Sequence, residues 1–147
     1  MRQDTKLESD AAEFLVLGNL SLMRIPSFKS YVNTTGYDLI ATNPESNRSA
    51  RIQVKSRWKT GAAGFIINNF GSDFVVVVLL HRGASRGAKP VLEPKYLVFQ
   101  TKMLKRLAKS KSDDRGRIDF KHISILDSYT GNWTPISAFL GISLPNV

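Results

Sequence analysis

The chain has 147 residues, with 21 Lys and Arg against 12 Asp and Glu for a net charge of +9, 42% hydrophobic residues and no cysteine. A chain of this size buries roughly 70% of its unfolded surface in one core, so one domain over residues 1–147 is expected without disulfide staples. The missing thiols exclude zinc–thiolate sites and cysteine nucleophiles.

A helix is predicted over residues 5–24, opened by Thr5-Lys6-Leu7-Glu8 as a capping box and stopped by Pro26. Its apolar residues surround most of the axis, which predicts a central helix packed on several sides. Extended runs at 30–33, 38–42 and 51–58, around a turn at 43–47, predict a meander. Phe74 to Leu80 is seven apolar residues, four of them β-branched. That pattern predicts a strand buried on both faces at the sheet centre. Membrane spans need about 20 apolar residues, and no basic-then-apolar leader is visible, so a cytoplasmic protein without membrane contact is expected. A strand at 95–100, a basic helix from Lys102 to Lys109 capped by Thr101, a polar loop at 110–117, a short strand at 120–126 and helical turns at 135–140 follow. The order predicts an α/β fold: a mixed central β-sheet flanked by helices.

The positive charge is concentrated in the last two thirds. Residues 1–47 hold four Lys and Arg and six Asp and Glu, whereas residues 48–147 hold seventeen and six. Lys102, Lys105, Arg106 and Lys109 belong to a run that reads equally as a solvated helix or as a surface contacting nucleic-acid phosphates.

Chemistry concentrates in Gly36-Tyr37-Asp38-Leu39-Ile40 and Arg51-Ile52-Gln53-Val54-Lys55-Ser56-Arg57. Side chains alternate along a strand, so Gln53, Lys55, Arg57 and Lys59 are expected on one polar face, opposite Ile52, Val54 and Trp58. If the Asp38 strand pairs beside it, a carboxylate, an amide oxygen and an ammonium converge. The Asp38 carboxylate, the Gln53 amide oxygen and the Val54 carbonyl suit a hard cation such as Mg²⁺, which binds phosphate oxygens. Lys55 would orient a water and offset charge on the phosphate. His81 and His122 lie far apart in sequence and are expected to be structural or surface residues.

This pattern resembles the PD-(D/E)xK nuclease superfamily, which includes Holliday junction resolvases. The likeness runs from Ala11-Ala12-Glu13-Phe14-Leu15 through Gly36-Tyr37-Asp38 to Gln53-Val54-Lys55. Gln53 replaces the usual acidic residue, as in Mrr-like restriction nucleases and a compact cyanobacterial intron-encoded homing nuclease. The resemblance implies Glu13, Asp38, Gln53 and Lys55 as catalytic positions, with Glu13, Asp38, Gln53 and Val54 around Mg²⁺ or Mn²⁺. Glu8 and Glu13, about 140° apart on the helical wheel, compete for the helical carboxylate. Glu13 is favoured because Glu8 is engaged in the capping box and Glu13 sits among Val16, Leu17 and Leu20.

The expected function is a divalent-metal-dependent endonuclease acting on DNA, with Arg57, Lys59 and the basic helix contacting phosphates. The alternative is a nuclease-fold protein that binds nucleic acid or a protein partner without cutting. A third is a basic scaffold whose charge serves only solubility; the salt-dependent phosphate binding of the first two would be missing from it. Cleaving both strands would require a homodimer or higher homo-oligomer, and no organic cofactor is implied.

Overall fold

The computed structural model describes residues 5–31, 36–84, 87–109 and 116–143. Three helices, α1 (Thr5–Leu22), α2 (Thr101–Lys109) and α3 (Thr134–Leu140), accompany seven strands: β1 (Ser27–Lys29), β2 (Leu39–Asn43), β3 (Arg48–Arg57), β4 (Gly64–Ile66), β5 (Phe74–Leu79), β6 (Lys95–Gln100) and β7 (Arg117–Asp119). Five strands form the main sheet in the order β1-β2-β3-β5-β6, and β4 pairs with β7 in a second, two-stranded sheet. β3 and β5 run parallel and the other neighbours antiparallel. The architecture is therefore a mixed α/β sheet flanked by helices, as the order of elements predicts.

β5 divides its side chains between two cores. Phe74, Val76 and Val78 join a cluster with Ala12, Val16 and Leu20 of α1 and Ile136 and Leu140 of α3. Val75 and Val77 join one with Phe65 of β4, Leu104 of α2 and Ile118 of β7. Both faces are covered, which is why the run has no polar alternation. The middle of the sheet is β3, not β5: the long β2–β3 hairpin adds strands on the far side of β3, a pairing that hydropathy does not report.

Several predicted elements differ. α1 buries only the stripe Ala12, Val16 and Leu20, while Leu7, Phe14 and Leu22 are exposed. The helix is thus covered along one face among the described residues. It ends before Pro26, through Arg24 at φ 62°. Ile25 N–H donates to Leu20 O (2.9 Å) and Arg24 N–H to Ser21 O (3.0 Å), a Schellman motif with Leu20 and Ile25 both buried. The first short strand is Ser27–Lys29, held to β2 with Ser27 opposite Ala41, and part of the predicted 30–33 run lies outside the described residues. Thr101 is the first helical residue, and its hydroxyl meets Ser72 Oγ at 3.0 Å instead of capping α2. The predicted strand at 120–126 is absent: β7 precedes it, then 3-10 turns span Phe120–His122 and Leu126–Tyr129. Ile125 at φ 49° interrupts any extended run there. β4 was not predicted. It fits only because Gly64 packs against the Ile118 and Asp119 backbone, where any Cβ would overlap Ile118 O.

Arg24 occupies a left-handed position that costs an L-residue about 1 kcal/mol or more, offset in part by the greater unfolded-state freedom of glycine. Arg24→Gly is expected to stabilise the fold by about 0.5 kcal/mol, read as a raised denaturation midpoint with an unchanged m-value.

Candidate active site

Asp38 stands where the sheet splits. It immediately precedes β2; its N–H donates to Ile52 O (2.9 Å) and its carbonyl accepts from Ser30 N–H (2.9 Å). The backbone thus ties Asp38 to β3 on one side and to the end of β1 on the other. The β2–β3 ladder stops at Leu39 opposite Ile52, so Val54 carries the next N–H on that side of β3. Asp38 Oδ2 accepts that N–H at 2.8 Å, a side chain completing what the ladder leaves open. Because the N–H and C=O of one strand residue point to the same neighbour, the Val54 carbonyl turns toward the same fork.

The register ends there, and Asp38 N–H turns to Ile52 O, one residue before Gln53; Gln53 itself is in register with Val75 and so lies on the face of β3 opposite Val54. Gln53 is 7% exposed, and its Oε1 is buried without a hydrogen-bond partner. An orphaned buried acceptor costs about 1–3 kcal/mol, so this oxygen needs a ligand. Lys55 follows on the same face of β3, half-buried, and forms no ion pair with the described residues.

Glu13 approaches from α1. Burial pushes its carboxyl above the ordinary carboxylate range, the Asp38 charge pushes it further, and Lys29 partly offsets both. The two carboxylates are therefore near enough to repel. Lys29 was not singled out from sequence, where nothing distinguishes it from any other lysine. Its Nζ lies 3.5 Å from Asp10 Oδ1 and 4.5 Å from the centre of the Phe14 ring. Glu8 closes no capping box: its Oε1 is buried without a partner, since Thr5 is already helical and its carbonyl accepts from Ser9 Oγ.

The remaining predicted residues are less concentrated. Arg57 ends β3 and its Nη1 donates to Gly64 O at 3.0 Å, bracing β4. Lys59 lies beyond the strand, exposed in the following turn, so alternation does not place it on the Gln53 face. Lys102, Lys105 and Arg106 are exposed on α2, and the Lys109 side chain lies outside the described residues, as do Lys111 and Arg115. Lys102 and Lys105 line a cavity of about 650 Å³ with Asp73, Phe74 and Phe139. None of Glu13, Asp38, Gln53 or Lys55 reaches that cavity. His81 is buried, with Nδ1 3.0 Å from Glu93 O, and His122 is exposed.

No three His, Asp or Glu side chains gather as a metal site among the described residues. Asp38 and the Val54 carbonyl meet at the end of the β2–β3 ladder, Glu13 comes within reach of the Asp38 charge from α1, and Gln53 carries a neutral amide oxygen with no partner on the β3 face opposite Val54. All are oxygen donors, the set suited to Mg²⁺ or Mn²⁺ and unsuited to softer metals.

No protein-family model matches the chain, and no curated protein matches it. Among solved structures it is similar to a bacterial homing endonuclease, I-Ssp6803I, with a TM-score of 0.59 and 19% identity, covering 92% of this chain and 93% of that one. The chain therefore has a nuclease-like fold. No helix among the described residues is long and apolar enough to cross a membrane.

Because its folded-state pKa is raised, Glu13 lowers stability as pH climbs from its ordinary value through the raised one. Glu13→Gln is therefore expected to raise Tm in chelator at neutral pH by about 1–2 °C, solvent screening keeping the gain small, and to leave Tm nearly unchanged at pH 4. Differential scanning calorimetry at the two pH values checks both parts.

Proposed function

We propose that this chain is a divalent-metal-dependent endonuclease hydrolysing phosphodiester bonds in DNA. Glu13, Asp38, Gln53 and Lys55 are its catalytic residues, and Glu13, Asp38, Gln53 and the Val54 carbonyl hold Mg²⁺ or Mn²⁺. The observation that carries this reading is the Asp38 carboxylate held on the Val54 N–H at the end of the β2–β3 ladder, next in sequence to the buried, unpartnered Gln53 Oε1. The nuclease-like fold and the excess of positive charge after residue 47 support it.

Each residue has a separable task. Asp38 keeps one carboxylate orientation because Oδ2 is fixed on the Val54 N–H, leaving Oδ1 for a ligand. Gln53 adds an oxygen without adding a third negative charge beside the repelling pair of Glu13 and Asp38. A bound divalent ion supplies polarisation of the phosphate and a lowered pKa for a coordinated water. The Lys55 ammonium orients the attacking water and stabilises charge on the phosphate, most effectively in a half-buried setting. Arg57, Lys59, Lys102, Lys105, Arg106 and Lys109 contact backbone phosphates. Cutting both strands requires a second copy related by two-fold symmetry.

Asp38→Asn and Lys55→Ala are each expected to lower cleavage of supercoiled plasmid by about 100-fold or more while retaining most DNA affinity. Nicking that persists in excess chelator would remove the metal mechanism. Binding without cutting under Mg²⁺ or Mn²⁺ would leave a nuclease-fold binding protein. Gln53→Glu is expected to tighten Mg²⁺ and Mn²⁺ binding severalfold by calorimetry, because a full charge replaces a dipole. Unchanged affinity would take Gln53 out of the metal's coordination.

A further inference from the structure

Three connections meet at the end of the sheet where β3 finishes. β3 and β5 both run toward it, with Arg57 opposite Leu79, and β6 starts there, with Lys95 opposite Leu79. The turn after β3 (Trp58 to Gly61), the residues after β5 (His81 to Gly83) and the approach to β6 (Lys89 to Leu92) therefore emerge side by side. They are laced together. Thr60 N–H donates to Gly83 O (2.9 Å), Gly83 N–H to Thr60 Oγ1 (2.9 Å), and Thr60 Oγ1 to Pro90 O (2.7 Å). Arg82 N–H donates to Trp58 O (2.8 Å), and Leu92 N–H to His81 O (2.9 Å). The Arg82 guanidinium is spent internally on the Leu80 and Leu92 carbonyls. Gly61 at φ 84° lies directly under Lys89, where a Cβ would overlap Nζ.

This brace displays an unusual surface. Lys89 crosses Gly61, in the same turn as the exposed Lys59 two residues before it. Trp58, Val91 and Leu92 stand 38%, 61% and 47% exposed beside them. Within residues 58–63 and 87–95 the sequence has a single carboxylate, Glu93. Exposed apolar side chains on a rigid cationic support match a duplex groove, with ammonium groups on phosphates and apolar side chains against sugars and thymine methyls. The position is also apt. Trp58 follows Lys55 by three residues, about 10 Å along a strand.

We propose that this braced platform is the duplex-contacting element beside the candidate catalytic strand, with Lys59 and Lys89 gripping phosphates and Val91 and Leu92 entering the groove. The inference rests on DNA as the ligand of the proposed function. Its loops are preorganised by the Thr60 and Arg82 hydrogen bonds, which reduces the ordering penalty on binding.

The test is fluorescence anisotropy with a labelled DNA duplex in chelator, titrated over salt, using the full chain. Lys59→Ala/Lys89→Ala is expected to weaken binding at least tenfold at low salt and to reduce the salt slope by about 2. Val91→Ser/Leu92→Ser, also at exposed positions, is expected to weaken binding severalfold with the slope unchanged. Wild-type affinity and slope in the lysine variant would overturn the platform, as would preference of the wild type for double-stranded RNA. Plasmid cleavage with Mg²⁺ separates the two ideas. A wild type that binds through the platform but never cuts refutes the nuclease and keeps the platform. A lysine variant that binds and cuts like wild type refutes the platform and keeps the nuclease.

Discussion

The hydrogen bond from the Val54 N–H to the Asp38 carboxylate is the point where the backbone pairing of β2 and β3 ends. Below it, β2 and β3 exchange backbone hydrogen bonds from Asn43 opposite Arg48 to Leu39 opposite Ile52. Above it the strands part, and a side chain satisfies the backbone donor that the ladder abandons. The same carboxylate is therefore structural and chemical at once: it terminates the hairpin without leaving a buried N–H orphaned, and it holds a negative charge at the mouth of the fork. Removing that charge conservatively, as in asparagine, keeps an acceptor for Val54, whereas alanine would leave the donor unpaired and confuse loss of function with loss of structure.

Around this fork the electrostatics are deliberately unbalanced. Glu13 and Asp38 repel each other, and burial adds to the strain on Glu13. Gln53 adds a buried oxygen with nothing to accept from. A divalent cation bound as proposed would offset all three together. The neutral Gln53 is then intelligible as a compromise: a third carboxylate would bind the cation harder but would deepen the repulsion in its absence. Lys29, wedged beside Asp10 and over the Phe14 ring, relieves part of that repulsion from the α1 side.

The rest of the molecule holds β3 in place so that its last turns of sequence can serve this end of the sheet. α1 and α3 cover one face, and α2 with the β4–β7 ribbon covers the other. Between Tyr96 and Trp133, whose rings lie 5.8 Å apart, the chain passes through 3-10 turns that finish the second core. Phe120, Ile123, Leu126 and Tyr129 recur every third residue and all join that core, the spacing a 3-10 path brings to one side. That period was present in the sequence, but the apolar residues at 123, 125 and 126 also suit a short strand, and Ile125 turned left-handed and exposed decides against it.

What the residues determined by themselves were the features set by local periodicity. The β-branched run at 74–79 demanded burial on both faces, and the Asn43 to Asn47 turn demanded a hairpin, which brought Asp38 to the end of its ladder with β3. Alternation put Gln53 and Lys55 on one strand face, whereas their role together with Glu13 and Asp38 came from the resemblance to the PD-(D/E)xK nucleases. Tertiary structure alone decided the non-local matters. Only packing could show that β3 is the middle strand, that the Glu8 oxygen is buried unpaired while Glu13 meets the Asp38 charge, and that Arg57 braces Gly64. The same holds for Lys89, thirty residues along the chain from Lys59 yet lying over Gly61 beside it. Such contacts join segments whose separation in sequence carries no periodic signal, so they exist only once the sheet has brought its strand ends together.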